Sequence, residues 1–494
     1  SIEGRVDGET NAARWLGIVD WETTSLTFPG GNAMSDGARC EDRSTICADT
    51  GYDGLSCRDH GTVGVLCLAT PVGEKVVVEG SNEIITKFVV DSSFVQARGG
   101  DPGVALFDAF NISIWPGSKS LEIHVHQDAG PVFDFPTIYL VSNGRALSVK
   151  GVSSSTSLVA FEAAFQSRHF QIVGSSTILT LTSIRLIGGD VASFWGNGVI
   201  DNYMLGSGGS LQVLGGARLE LLQCEISGCK AKQHGGGIHV KHSTLSMIDS
   251  IISGNTACYQ EKPGGYGGGL NLEGGSADIV NSIIAQNHVY DYGGGGGIAV
   301  MGGTLTMSGS ELRENHAVQK GPGGGLYVHV NAGPVTLDNT SFVSNQAGTR
   351  ASNSNDAKWA SGMQRGGAMY LGSGVSLNIT RSTLRGNSAT DRGGAIQLSS
   401  SADLVMEDCS ITDGLAQSGA AAVIEGTAIL NNVVVGNNIA SGYHTMGAAV
   451  SVSGALSATG CTFSNNRPCN KVPGFTTSSS STGCKMNGPD FTAY

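Results

Sequence analysis

No stretch of this chain approaches 18 consecutive apolar residues, so no segment reads as a membrane-spanning helix. Positive charge is scarce. Lys and Arg number 29 against 41 Asp and Glu, a net charge of −12, which disfavours nucleic acid and anionic lipid as partners. Cys-x-x-Cys and His-x-x-x-His spacings are missing, and with them the reading of a zinc site; no metal or cofactor is expected. Aromatic residues make up only 6% of the chain, so a local cluster of them is informative.

What the chain has in abundance is glycine, 74 residues of it, and repetition. From Cys224 to Asn466 one short phrase recurs nine times: a small residue, an apolar anchor two places on, and usually an Asn three places after that. The anchors are Ile226, Ile252, Ile284, Leu312, Phe342, Leu384, Ile411, Val434 and Phe463. Cys229, Asn255, Asn287, Asn315, Asn345, Asn387, Gly414, Asn437 and Asn466 stand at the turn position, and a glycine block follows most copies. Anchor-to-anchor steps of 23 to 42 residues mean a solenoid.

The intervening segments, such as GGGIHV and GGTLTMSGSEL, alternate apolar and polar residues at period two and are rich in Val, Ile, Thr and Leu. Stacking equivalent strands, about 4.8 Å per turn, pairs all of them except those at the ends. The pattern predicts an all-β fold, a single-stranded right-handed parallel β-helix with a disulfide-tied N-terminal region and a short C-terminal tail. The small column (Cys224, Ser250, Ser282, Ser310, Thr340, Ser382, Cys409, Asn432, Cys461) points inward with the anchors. The turn residues Asn255, Asn287, Asn315, Asn345, Asn387, Asn437 and Asn466 read as a stacked amide ladder, and the glycines as tight corners. Four regions follow: 1–75, Cys-rich; 76–200, a cap and less regular early coils; 201–467, regular coils; 468–494, a Ser/Thr-rich tail.

Gly-Gly-Ala/Gly-aliphatic blocks alternating with Phe-x-x-Asn resemble the repeat of polymorphic outer-membrane proteins. Phe342-Val343-Ser344-Asn345 and Phe463-Ser464-Asn465-Asn466 match one half, Gly366-Gly367-Ala368-Met369 and Gly393-Gly394-Ala395-Ile396 the other. The resemblance covers about half of the chain. It implies a right-handed β-helix of the pectate-lyase-like superfamily, of the kind found in surface and adhesin proteins. Nothing after Asn466 alternates long enough to form that family's membrane barrel.

Eleven cysteines point to an oxidising compartment. Cys40, Cys47, Cys57 and Cys67 are expected to form two bridges among themselves, Cys469 to pair with Cys484, and Cys229 with Cys258 on the next coil. Cys224, Cys409 and Cys461 are left as buried thiols, since Cys409 and Cys461 stand two coils, roughly 9–10 Å, apart. Sequons at Asn111, Asn339 and Asn378 suggest N-glycosylation in a eukaryotic host.

Insertions between the turn Asn and the glycine block carry Tyr259, Tyr266, Tyr290, Tyr292, Arg350, Lys358, Trp359, Arg365, Tyr443 and His444. Stacked along one edge, they read as a binding face for glycans or for protein. Catalytic signatures are sparse. Gly196-Asn197-Gly198-Val199-Ile200-Asp201 is similar to a stretch of β-helical polygalacturonases, but the motifs that follow it there are missing. His239 and His329 read as strand-surface histidines, and no Gly-x-Ser-x-Gly nucleophile turn occurs. The expectation is an extracellular or cell-surface, non-catalytic protein that is structural or adhesive, self-associating or binding other surface proteins or glycans. A carbohydrate-active enzyme or a polysaccharide-binding module is the alternative.

Overall fold

The computed structural model describes residues 55–59, 65–69, 74–77, 84–467 and 490–493. Within 84–467 it leaves out 98, 113–119, 131, 136–138, 143, 155–156, 164–166, 193–205, 258–263, 291, 320, 349–363 and 442–449. Two compact units emerge, Ser1–Gly73 and Glu74–Tyr494. In the first, Leu55–Asp59 pairs antiparallel with Val65–Ala69, with Cys57 and Cys67 as direct register partners. The expected pairings of Cys40, Cys47, Cys258, Cys469 and Cys484 involve residues outside the described ones.

The second unit is a parallel β-solenoid. Each coil adds strands to a broad sheet, to a 12-stranded sheet and, in seven coils, to a short third sheet. The broad sheet has two arms. Ile238–Ile248 runs through both, whereas later coils break into pairs such as Leu326–Val328 and Ala332–Asp338. Alternation decides what faces inward: Ile238, Val240, Leu245 and Met247 are fully buried, and their equivalents in successive coils form one continuous core.

Three corners close each coil, and all three use left-handed backbone. Gly235, Gly267, Gly295, Gly323, Gly366 and Gly393 occupy one, with φ between 62° and 74°. The other two columns are mostly not glycine. Asp249, Asn281, Asn339, Arg381 and Asp408 form one, Gln286, Glu314, Ser344 and Asp413 part of the other, all with φ between 45° and 58°. Asn and Asp tolerate this conformation; Arg, Gln and Glu are held in it by the stacked coils on either side.

Two hydrogen-bonded ladders line the interior. Where the next coil also carries Asn, a ladder Asn donates from its backbone N–H and its Nδ2 to that residue's Oδ1, as in Asn287 to Asn315 at 3.1 and 3.0 Å, and also from Nδ2 to the carbonyl of an anchor. The small column is a ladder too. Ser250 Oγ accepts from the Cys224 N–H at 2.9 Å and donates to the Ile248 carbonyl at 2.7 Å. The role of these hydroxyls is therefore bonding as well as small size.

The structure corrects one expectation here. In the coil Asn431-Asn432-Val433-Val434-Val435-Gly436-Asn437-Asn438 the register lies one residue later. Val435 pairs with Ile411 and is buried, Val434 is 43% exposed, and Asn438, not Asn437, joins the ladder through Asn466. Asn437 takes the left-handed corner with φ 57°. Three consecutive valines and two asparagines satisfy period two in either register; stacking on Cys409 and Ile411 selects one. Cys229 is a free, buried thiol, and its expected partner Cys258 lies outside the described residues. Cys229 occupies the ladder position itself, its N–H bonded to Asn255 Oδ1 at 2.9 Å, so its side chain points inward.

The ends of the broad sheet are closed by antiparallel strands, Glu74–Val77 against Ile84–Val90 and Asp490–Ala493 against Ala455–Thr459. Near the first end the helix Pro102–Ile112 starts on Asp101, whose Oδ1 accepts from the Gly103 N–H at 2.8 Å. It contributes Ala105, Leu106, Ala109 and Phe110 to the core, with the Phe110 ring centroid 4.8 Å from that of Tyr139.

Candidate functional site

In the first arm of the broad sheet each coil has the form apolar–x–apolar: Ile238-His239-Val240, Leu270-Asn271-Leu272, Leu326-Tyr327-Val328, Ile396-Gln397-Leu398. The flanking residues are buried in the core, so the middle one faces outward. The sheet register aligns these middle residues in one column: Gln171, Gln212, His239, Asn271, Ala299, Tyr327, Tyr370, Gln397, Val423 and Ser451. Consecutive members lie about 4.8 Å apart along the solenoid axis.

Beside this column runs the corner strip that precedes the left-handed glycines. Backbone bonds from Gly235 to Tyr266, Gly267 to Gly294, Gly295 to Pro322, Gly323 to Arg365 and Gly366 to Arg392, all 2.9–3.0 Å, set its order. The strip leans over the column. Gln212, His239 and Asn271 are at most 1% exposed, although they lie on the outer side of the sheet, while Tyr327 and Tyr370 remain half-buried.

Rings from column and strip form one array. His234 stacks on Tyr266 at 5.7 Å, Tyr266 on Tyr327 at 5.6 Å and Tyr327 on Tyr370 at 5.6 Å; His239 stacks on His234 at 5.9 Å. Tyr266 and Tyr327 are two coils apart and meet because the coil between them carries Gly294 and Ala299. A Cβ on Gly294 would lie 2.7–3.0 Å from the Tyr327 ring. With ring faces turned to one another, the array presents ring edges outward. Burial raises the Tyr327 phenol above its usual range, so it stays protonated; Tyr370 Oη accepts from Ser399 Oγ at 3.0 Å.

Charge is balanced locally. Lys241 donates to Glu273 at 2.6 Å, Arg365 faces Asp391 at 3.4 Å, and Arg392 lies 3.8 Å from both Asp391 and Glu425. Burial, helped by nearby His234, Arg168 and Lys241, holds His239 well below the ordinary imidazole range. Its Nδ1 accepts from Asn271 Nδ2 at 3.1 Å, which leaves the proton on Nε2, 3.8 Å from Glu273 Oε2. Four buried amide oxygens in the column and strip lack a donor: Asn271 Oδ1, Gln397 Oε1, Gln364 Oε1 and Gln233 Oε1. Among the described residues no group of three or more His, Cys, Asp or Glu is placed to hold a metal.

Of the loop residues singled out in the sequence, Tyr266 and Arg365 lie on this strip. Tyr290 and Tyr292 stand exposed, at 37% and 49%, in the turn that follows the strand His288–Val289. Tyr259, Arg350, Lys358, Trp359, Tyr443 and His444 lie outside the described residues. Asn111 falls in the helix Pro102–Ile112, Asn339 is exposed at a corner, and Asn378 is exposed on the second arm. The column was missed in the sequence, where the middle residue of an apolar triplet reads as ordinary strand surface. Its signal was the recurrence of Gln, His, Asn and Tyr four residues after the turn glycine.

A family model described as "Right handed beta helix region" matches residues 182–361. The fold is a right-handed β-helix. No curated protein matches the sequence. Among solved structures, one described as "Geobacillus virus E2 - ORF18" is similar over 83% of this chain and 68% of its own, at 10% identity and TM-score 0.40. The Agl-KA catalytic domain is similar over 80% of this chain and 70% of its own, at 12% identity and TM-score 0.42. The Dettilon tailspike protein is similar over 72% and 65%, at 14% identity and TM-score 0.26.

Proposed function

We propose that this β-helix is a non-catalytic adhesive protein of the cell exterior that holds an extended polysaccharide along the first arm of its broad sheet. One observation carries the reading. Polar or aromatic side chains fill eight of the ten positions of the column in register, and Gln171, Tyr327, Tyr370 and Ser451 among them are partly exposed. A polymer lying along the axis meets such contacts on several coils, and weak contacts then multiply. The exposed sequons Asn339 and Asn378 lie on the second arm and its far corner, so glycans there would leave the first arm uncovered. The test is retention of the full chain on immobilised polysaccharides and cell-wall preparations, compared with Tyr327→Ala and Tyr370→Ala. Wild-type retention that both variants weaken supports the reading; failure to bind any preparation removes it.

A second reading, cleavage of the bound chain, is favoured by the neutral imidazole of His239 beside Glu273. Release of reducing ends or unsaturated sugars, abolished in Glu273→Gln, would establish it in place of the first.

A further inference from the structure

We infer that His234 and His239 form an acid-operated latch that seats the corner strip on the outer column. The latch works whatever the face binds. His239 is 1% exposed although it lies on the outer side of its sheet, so the strip is what buries it. Strip and column meet there ring to ring, His234 on His239 at 5.9 Å with 27° between their planes. Tyr266 stacks on His234 in turn at 5.7 Å, which ties the latch to the tyrosine array.

The hydrogen bonds describe the neutral state. His239 Nδ1 accepts from Asn271 Nδ2 at 3.1 Å, while the buried Asn271 Oδ1 has no donor. A proton taken up by His239 lands on Nδ1 and sets donor against donor. A half-turn of the Asn271 amide answers it, because the partnerless Oδ1 then receives the new N–H. His239 thus has a partner in both protonation states. What the seated strip denies it is a surrounding that tolerates charge. Arg168 from an earlier coil, Lys241 on its own strand and His234 on the strip all oppose a cation at His239, and burial opposes it most. The strip brings Lys232 and Tyr266, the preceding strand Gln212, and none of these carries negative charge. The carboxylate that faces the ring, Glu273, lies 3.8 Å from Nε2 and is already held by Lys241 at 2.6 Å. Charge is relieved when the strip lifts and water reaches both rings. Both imidazoles bind protons more weakly under the seated strip than in water. The seated form is therefore fully favoured above pH 6.5 and gives way as the pH falls below it.

The experiment is hydrogen–deuterium exchange of the full chain at about pH 7.5 and about pH 5, corrected for the intrinsic pH dependence of exchange. The reporters are the amide of Gly208, which donates to the His234 carbonyl at 2.8 Å, and that of Gly235, which donates to the Tyr266 carbonyl at 2.9 Å. On acidification their protection should fall about tenfold more than that of the ladder amides Asn255 and Asn287. His234→Phe keeps a ring in the stack but takes no proton, and should abolish this extra fall. His169→Gln removes a buried imidazole outside the stack and should leave it. An equal fall in strip and ladder of the wild type overturns the latch without recourse to any variant, and so does an extra fall that survives in His234→Phe.

Discussion

Asn345 Oδ1 accepts two hydrogen bonds from Asn315, one from its backbone N–H at 3.1 Å and one from its Nδ2 at 3.0 Å. Asn315 in turn serves Asn287 and donates to the Ile284 carbonyl at 2.8 Å. Replacing Asn315 by Leu therefore strips partners from buried polar groups on two neighbouring coils. The expected cost is about 3–5 kcal/mol by urea denaturation, the sum of several unmet groups. A loss below about 1 kcal/mol would mean that the ladder is dispensable.

Phe342 is fully buried between the anchors Leu312 and Leu384 of adjacent coils. Its replacement by Ala should cost about 3–5 kcal/mol through the cavity left in a stacked core. The same denaturation measurement checks it, and an unchanged midpoint would contradict the packing described.

Ser344 holds φ 55° in a column where the next coil carries Gly386, with φ 65°. Glycine removes the steric penalty of this conformation at some entropic cost, so Ser344→Gly should be neutral or stabilising by up to about 1 kcal/mol. The converse change, Gly254→Ala at φ 62°, has open space around the new Cβ yet should destabilise by about 1 kcal/mol. Thermal melts of both variants test whether backbone conformation, and not crowding, governs the corner.

His169 is buried, bonded to Ser210 Oγ and the Phe161 carbonyl, both at 3.0 Å, and burial lowers its pKa from 6.5 to about 4. The unfolded chain binds the proton more tightly. Its contribution is thus complete above pH 6.5 and is lost as the pH falls toward 4. Up to about 3 kcal/mol is at stake. Stability measured across this window should fall in the wild type and fall less in His169→Gln. Identical slopes would remove His169 from the acid response.

Cys224, Cys229, Cys409 and Cys461 are free and buried, and burial raises their thiols, that of Cys224 to about 11 and that of Cys229 to about 12. They should resist alkylation in the native protein and react after denaturation without reductant. The same peptide map is expected to join Cys57 to Cys67, register partners in their antiparallel pair. A linked Cys409–Cys461 peptide, or Cys229 found in any bridge, would contradict the structure.

Much of the fold was legible because each coil repeats the same demands. An inward anchor, a small residue and an Asn at constant offsets leave few registers open, and Phe342 to Asn345 reads correctly without its neighbours. Where the offsets became ambiguous, in Val433-Val434-Val435, the reading slipped by one residue. The candidate site was far less legible. Tyr266 belongs to an insertion, Tyr327 to a strand and Gly294 to a glycine run, and nothing local to any of them announces a common array.

The sequence by itself determined the solenoid, the inward columns and the place of the glycine corners, because these follow from period two and from conformations only some residues adopt. Tertiary stacking decided the rest. It forced Arg381, Gln286 and Glu314 into left-handed corners, turned the small column into a hydroxyl ladder, and buried His239 and Asn271 on the outer side of a sheet. Which side chains meet across coils depends on the register between segments some 30 residues apart, set by the summed fit of every coil against its neighbours.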